Sequence, residues 1–200
     1  RACGMLGIPQ IVVHAQWDFS VPYPTGMEKF FAYNKSLYEG LFPVMEETGV
    51  KVLIENSCEA NMGPACYFMT GQEMVDFLDF VGHPLLGAVW DTGHANCRGN
   101  RQYEDLTALC GRLDGVHIHD NDGVKDNHRI PFECPASTPL GGCVDWEDAA
   151  EGLRLCDFLA TSNRCINLEL KSSDLPADRS VRLSHAARAA YAAKRLATLM

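Results

Sequence analysis

The sequence has no stretch approaching the roughly 20 consecutive apolar residues that cross a bilayer. Its first residues, RACGMLGIPQ, lack the charged start and long apolar core of a secretion signal. Membrane insertion and export are therefore not expected, and the chain reads as cytoplasmic. A basic surplus is missing too: 17 Lys and Arg face 26 Asp and Glu, for a formal net charge of -9. A surface of that sign repels phosphate backbones and anionic lipid, which argues against nucleic acid and membrane as partners. The nine cysteines contain no Cys-x-x-Cys pair, and their odd, scattered set suits free, mostly buried thiols better than a disulfide framework or a zinc knuckle. Only Cys134 and Cys143, flanking a Pro/Gly-rich loop, stand out as a pair for a metal or a disulfide. Neither a low-complexity tract nor a linker divides the chain, so one domain over 1–200 is expected. An initiator Met is also lacking; the opening on Arg1, in what reads as a helix tail, suggests further sequence upstream.

Five short apolar or β-branched runs are present instead: Gln10–His14, Val50–Asn56, Leu86–Thr92, Gly115–Asp120 and Cys165–Leu170. Longer stretches with helical spacing separate them, which predicts repeated βα units on a parallel sheet. Met27–Thr48 carries one apolar face, with Thr25 and Glu28 spaced as a capping box, Pro43 as an interruption and Gly49 as an exit. Thr70 and Glu73 repeat the box before Met74, Phe77, Leu78 and Val81. Tyr103, Leu106, Leu109 and Leu113 mark the next helix, Asp145 opens another, and Ser180–Leu199 is an Ala-rich final one. Five βα units cannot close an eight-stranded barrel, so the pattern leaves two architectures: a barrel short of about three units, or a complete open sheet with helices on both faces.

The strands end in polar residues. His14 closes the first, Glu55-Asn56 the second, Asp91-Thr92-Gly93-His94 the third, His117-Ile118-His119-Asp120 the fourth and Glu169 the fifth. In either architecture those ends form the ligand-facing surface. Carboxylates gathered there must share protons or bind a cation to offset their repulsion. Oxygen donors with an imidazole suit Mn²⁺, Mg²⁺, Co²⁺ or Zn²⁺.

These residues resemble the xylose-isomerase-like TIM barrels, a family of sugar-phosphate isomerases and epimerases, ketose 3-epimerases and endonuclease-IV-type enzymes. The resemblance rests on VLIEN at 52–56, WDTGHAN at 90–96, VHIHDNDGVKDNH at 116–128, VDW at 144–146 and NLEL at 167–170. It implies a (β/α)8 TIM barrel lacking its first three βα units, with strands four to eight present. It also implies that Glu55, Asp91, His117 and Glu169 are the shared metal ligands. His94 looks like a substrate contact of the epimerases or a ligand of a further zinc in the nuclease branch. Asp126 and His128, and separately His14, resemble additional zinc ligands of that branch. His119 stands where many sugar isomerases of the family carry Lys, and the loop from Pro131 to Gly142 is longer than usual. Trp17 and Phe19 could wall a sugar ring.

The activity so implied is metal-dependent isomerisation or epimerisation of a sugar, sugar phosphate or related polyhydroxy ketone through an enediolate. Glu55 and Glu169 would serve as base and acid, with His94, His119 and Trp17 binding the substrate. Two other readings stay open: a multi-zinc phosphodiesterase of the endonuclease-IV type, and a truncated or non-catalytic family member. A homodimer is implied by resemblance alone.

Overall fold

Five strands form in the computed structural model, which describes residues 1–16, 25–58, 63, 66–99, 101–134, 142–161, 163–171 and 177–200. They are β1 (Gln10–Val12), β2 (Lys51–Glu55), β3 (Leu86–Asp91), β4 (Leu113–Ile118) and β5 (Cys165–Leu168). Every neighbouring pair is parallel and the spatial order is the sequence order. An open, doubly wound sheet needs its strand order to reverse at a switch point, so that alternative falls. The sheet also curls. Gln10 Nε2 on β1 donates to the Cys165 sulfur on β5 at 2.9 Å, although the two strands are the opposite ends of the ladder. Five sequential parallel strands bent this way make an arc of a TIM barrel.

The strand interiors explain the burial. β3 is buried at all six positions and β2 from Val52 to Glu55, as expected where helices cover one face and barrel side chains the other. The ladders stop sooner than the apolar runs suggest, so His14, His119, Asp120 and Glu169 lie just beyond the strand ends. One further bond, Glu169 N–H to Ile118 O at 3.1 Å, carries Glu169 along the side of β4.

The helices are α1 (Ala2–Met5), α2 (Met27–Glu39), α3 (Phe42–Thr48), α4 (Gly71–Val81), α5 (Thr92–Arg98), α6 (Gln102–Leu109), α7 (Trp146–Leu155) and α8 (Arg179–Leu199). Pro43 does interrupt: it lies in the first turn of α3, where its missing N–H costs nothing, and Gly49 closes that helix at φ 68°. Thr70 and Glu73 form their capping box, and Asp145 caps α7 through the N–H groups of Glu147 and Asp148. The Thr25–Glu28 box does not form, because Gly26 takes the N-cap position and leaves Thr25 one residue too far out. Leu113 belongs to β4 rather than to the preceding helix.

The core between sheet and helices is aromatic near β2. Phe30 stacks on Tyr67 with centroids 4.3 Å apart, and Phe68 meets Phe30 at 4.8 Å and Phe77 at 4.9 Å. Trp90 is wholly buried in β3 and donates to Gln102 Oε1, while the Gln102 amide donates to Thr92 O, so the start of α6 braces the start of α5. The cysteines are not all free. Cys110 and Cys156 form a disulfide joining the C-terminal ends of α6 and α7. Those helices approach closely: a Cβ on Gly152 would stand 2.9 Å from Leu106 Cβ. This proximity is tertiary and leaves no trace in cysteine spacing. Among the described residues no helix is long and apolar enough to cross a membrane.

Candidate metal centre

Four donors converge where the strands end. Glu55 and Asp91 are the last residues of β2 and β3, His117 is the penultimate residue of β4, and Glu169 follows β5. Each offers one ligand atom, and all four atoms lie within 4.8 Å of one another. The His117 Nδ1 atom is 3.0 Å from Glu55 Oε1 and 3.0 Å from Glu169 Oε2. The first three are buried and Glu169 is half-buried, facing the open side. Asp91 does two jobs, since its Oδ1 also accepts the His94 N–H at 2.7 Å and so caps α5. Asn56 holds Asp91 from the neighbouring strand: its amide donates to Asp91 O at 2.9 Å and its carbonyl accepts Asp91 N–H at 2.5 Å.

A second tier surrounds this centre. His14 Nε2 lies 3.3 Å from Glu55 Oε2, on an exposed ring. The His94 Nδ1 atom meets Asn56 O at 2.9 Å, and its Nε2 looks towards Asp126 Oδ2 at 3.9 Å. His119 Nε2 lies 3.0 Å from Asp91 Oδ1 and 3.4 Å from Asp126 Oδ1. His128 Nε2 reaches Asp126 Oδ2 at 2.9 Å while its Nδ1 contacts Glu169 O at 3.0 Å. His128 sits at φ 49°, a left-handed conformation that costs a non-glycine residue energy and recurs at functional sites. The His119 and His128 rings stack, 3.9 Å apart and 5° from parallel. Of the features singled out in the sequence, Trp17, Phe19 and residues 135–141 of the loop from Pro131 to Gly142 lie outside the described residues.

The charge balance follows from this packing. Burial opposes charge on Asp91, but His94 and His119 win and hold it well below the usual carboxylate range. Burial likewise opposes a proton on His117, yet the hydrogen bonds to Glu169 and Glu55 push it up to about 10. His94 rises to about 9 against its own burial, through Asp91 and Glu55. Asp126 is held low despite burial, chiefly by the His128 hydrogen bond, and His128 is raised in turn.

The donor set fits a divalent cation. Three carboxylates and one imidazole make an oxygen-rich sphere of the kind that takes Mn²⁺, Mg²⁺, Co²⁺ or Zn²⁺. Among the described residues, Asp126 Oδ1 and His119 Nδ1 are buried without a hydrogen bond, and His119, Asp126 and His128 form a second three-donor group.

Sequence reasoning overlooked the supports. Asn121 donates to Gly93 O at 2.7 Å and accepts the Asn96 amide at 2.8 Å, fixing α5 to the fourth strand end. Gly93 leaves room for His119: a Cβ there would stand 2.0 Å from the ring carbon Cε1. The Gly in WDTGHAN was the available signal, since a glycine opening a helix beside a polar strand end marks a close approach.

The xylose isomerase-like TIM barrel family model matches residues 1–191. The chain is 25% identical over 165 residues to the uncharacterized protein y4fM of Sinorhizobium fredii, covering 79% of this chain and 47% of that one. Its fold is similar to that of a D-tagatose 3-epimerase-like protein, with TM-score 0.71 and 18% identity over 98% of this chain and 66% of that one. It is similar also to D-psicose 3-epimerase from Clostridium cellulolyticum H10, solved with D-tagatose, with TM-score 0.70 and 17% identity over 97% and 66%. The chain thus spans about half the length of the curated relative and just under two thirds of each solved structure. With the family match running through all five strands and all four converging donors, the chain belongs to the xylose isomerase-like TIM barrel family.

Proposed function

We propose that this chain carries the metal centre of a divalent-metal-dependent isomerase or epimerase acting on a sugar, sugar phosphate or related polyhydroxy ketone. The observation that carries the reading is the convergence of Glu55, Asp91, His117 and Glu169 within 4.8 Å from four successive strand ends. A bound divalent cation would supply Lewis-acid polarisation of the substrate's carbonyl and adjacent hydroxyl oxygens. Glu55 and Glu169 flank His117 from opposite strands, so one carboxylate can take the proton from the carbon next to the carbonyl while the other returns it. Asp91 is committed to His94 and His119 and serves orientation rather than proton transfer. His94, whose Nδ1 meets Asn56 O, would offer its other ring nitrogen to a substrate oxygen. Small carbohydrate-like compounds suit the site, and the acidic balance of the chain disfavours nucleic acid.

The test is solvent-deuterium incorporation into a panel of ketoses and inositol-derived ketones by the Mn²⁺- or Co²⁺-loaded full-length protein. Exchange at the carbon beside the carbonyl is expected, with Glu169→Gln slowing it by about 10²–10⁴-fold. No exchange across the panel sinks the reading.

One observation favours a second reading, a multi-zinc phosphodiesterase: His119, Asp126 and His128 form a three-donor group beside the first, and His14 approaches Glu55. Metal analysis separates the two. About three tightly held zinc ions per chain support the phosphodiesterase, and one exchangeable cation supports the isomerase.

A further inference from the structure

The loop after β4 returns to its starting point on a single carboxylate. Asp120 Oδ1 accepts the N–H groups of Asn121 and Val144, and Oδ2 accepts the Phe132 N–H and the Trp146 indole N–H, all at 2.9–3.1 Å. A backbone bridge to Arg129, 2.8 Å in both directions, fastens the outgoing side. Phe132 and Val144 are thereby drawn to the two oxygens of one side chain, with half-buried Cys134 two residues after the first and half-buried Cys143 just before the second. The Cys134 and Cys143 sulfurs and an Asp120 oxygen lie within 4.8 Å of one another. The Arg129 guanidinium contacts the Cys134 sulfur at 3.9 Å.

A metal is poorly served here. Both Asp120 oxygens are taken up by two N–H donors each, which among the described residues leaves two thiols, short of the four ligands a structural zinc requires. Two adjacent thiols, one of them beside a cation, instead make a dithiol suited to thiol–disulfide exchange. We propose that Cys134 and Cys143 are a reversible redox pair, oxidised to a disulfide by a small-molecule disulfide such as oxidised glutathione. The sulfurs need to close by about 1.4 Å each at most to reach bonding distance.

Cys134, once it has given up its proton to solvent, attacks one sulfur of the small disulfide, forming a mixed disulfide and releasing one thiolate. Cys143 then gives up its proton to solvent and attacks the Cys134 sulfur, which releases the second thiolate. The protein loses two electrons and two protons, and the small disulfide gains both electrons. Burial, and then the hydrogen bond to Cys134, push the Cys143 thiol up to about 12, so Cys143 is the less ready of the two to attack first. The oxidised pair would fix Gly142, whose carbonyl accepts the Asn96 amide at 3.1 Å, and so tether the loop to the helix that carries His94.

The experiment equilibrates the full-length protein in glutathione redox buffers, with thiol counting, intact mass and peptide mapping, natively and in urea. Expected is a Cys134–Cys143 link and a mass lower by two hydrogens. The effective concentration of the pair should be at least about tenfold higher in the native protein than in urea, because the Asp120 clamp sets it. Cys143→Ser should trap the glutathione adduct on Cys134. Equal effective concentrations in the two states, a lasting adduct on Cys134 with Cys143 intact, or a Cys134–Cys143 link that never forms would overturn the proposal.

Discussion

Replacing Gly93 by alanine puts a methyl group where His119 already sits. The added carbon would stand 2.0 Å from the ring Cε1 and 2.4 Å from Nδ1, so the ring must retreat by about 1.4 Å to reach the 3.4 Å of ordinary contact. Retreat is obstructed, because the His128 ring stacks on His119 at 3.9 Å and is itself held by Asp126 and Glu169 O. Overpacking in a tight site costs about 1–3 kcal/mol, and the blocked escape puts this case near the upper end. At about 2–4 °C per kcal/mol for a chain of this size, Tm should fall by about 6–12 °C. A tilted His119 also releases Asp91, and loss of such an outer partner weakens metal binding by about 10–100-fold. The assay is thermal melting by circular dichroism alongside calorimetric Mn²⁺ titration, carried through a double-mutant cycle with His119→Ala. If the clash is the cause, removing the ring recovers most of the lost Tm in the Gly93→Ala background, and the two substitutions are strongly non-additive. Additive effects, or native Tm and metal affinity in the single variant, would refute the reasoning.

In the chelator-treated protein the His117 proton is held up to about 10 against an ordinary 6.5. Its stabilising contribution is complete below about 6.5 and is lost as pH rises through about 10, so the metal-free Tm should decline across that window. Mn²⁺ affinity should climb over the same range because the cation displaces that proton. Calorimetry in buffers of different ionisation heat detects the release, and an affinity equal at about pH 7 and about pH 9 contradicts it. The Cys110–Cys156 link spans 46 residues, a loop for which chain entropy gives about 4 kcal/mol. Cys156→Ala should therefore lower Tm by about 8–16 °C, and a shift within about 2 °C shows that the link contributes little to stability.

The strands were legible because buried parallel strands read as unbroken apolar runs, and the donors were legible because each run stops abruptly on a charged or imidazole side chain. Caps that depend on local chemistry alone, such as Thr70 and Asp145, were equally readable. Leu113 was misplaced because an apolar residue four positions after Leu109 fits a continuing helix as well as a new strand; the turn at Cys110–Gly111 decides between them. The disulfide, the Asn56 brace on Asp91 and the Asp120 clamp all join residues far apart in the chain. No spacing rule reaches them, since they exist only after the helices and strands have docked. His119 lies between these cases: its place after β4 was readable, its lodging over Gly93 was not.

No two of the four central donors belong to the same βα unit. A cation gripping them would therefore act as a keystone, leaning on four separately built arms at once. Any change that tips a single strand, however far from the rim, would be felt as a lost or lengthened bond at the ion. Metal affinity in this protein should consequently serve as a sensitive gauge of how well the whole arc is assembled.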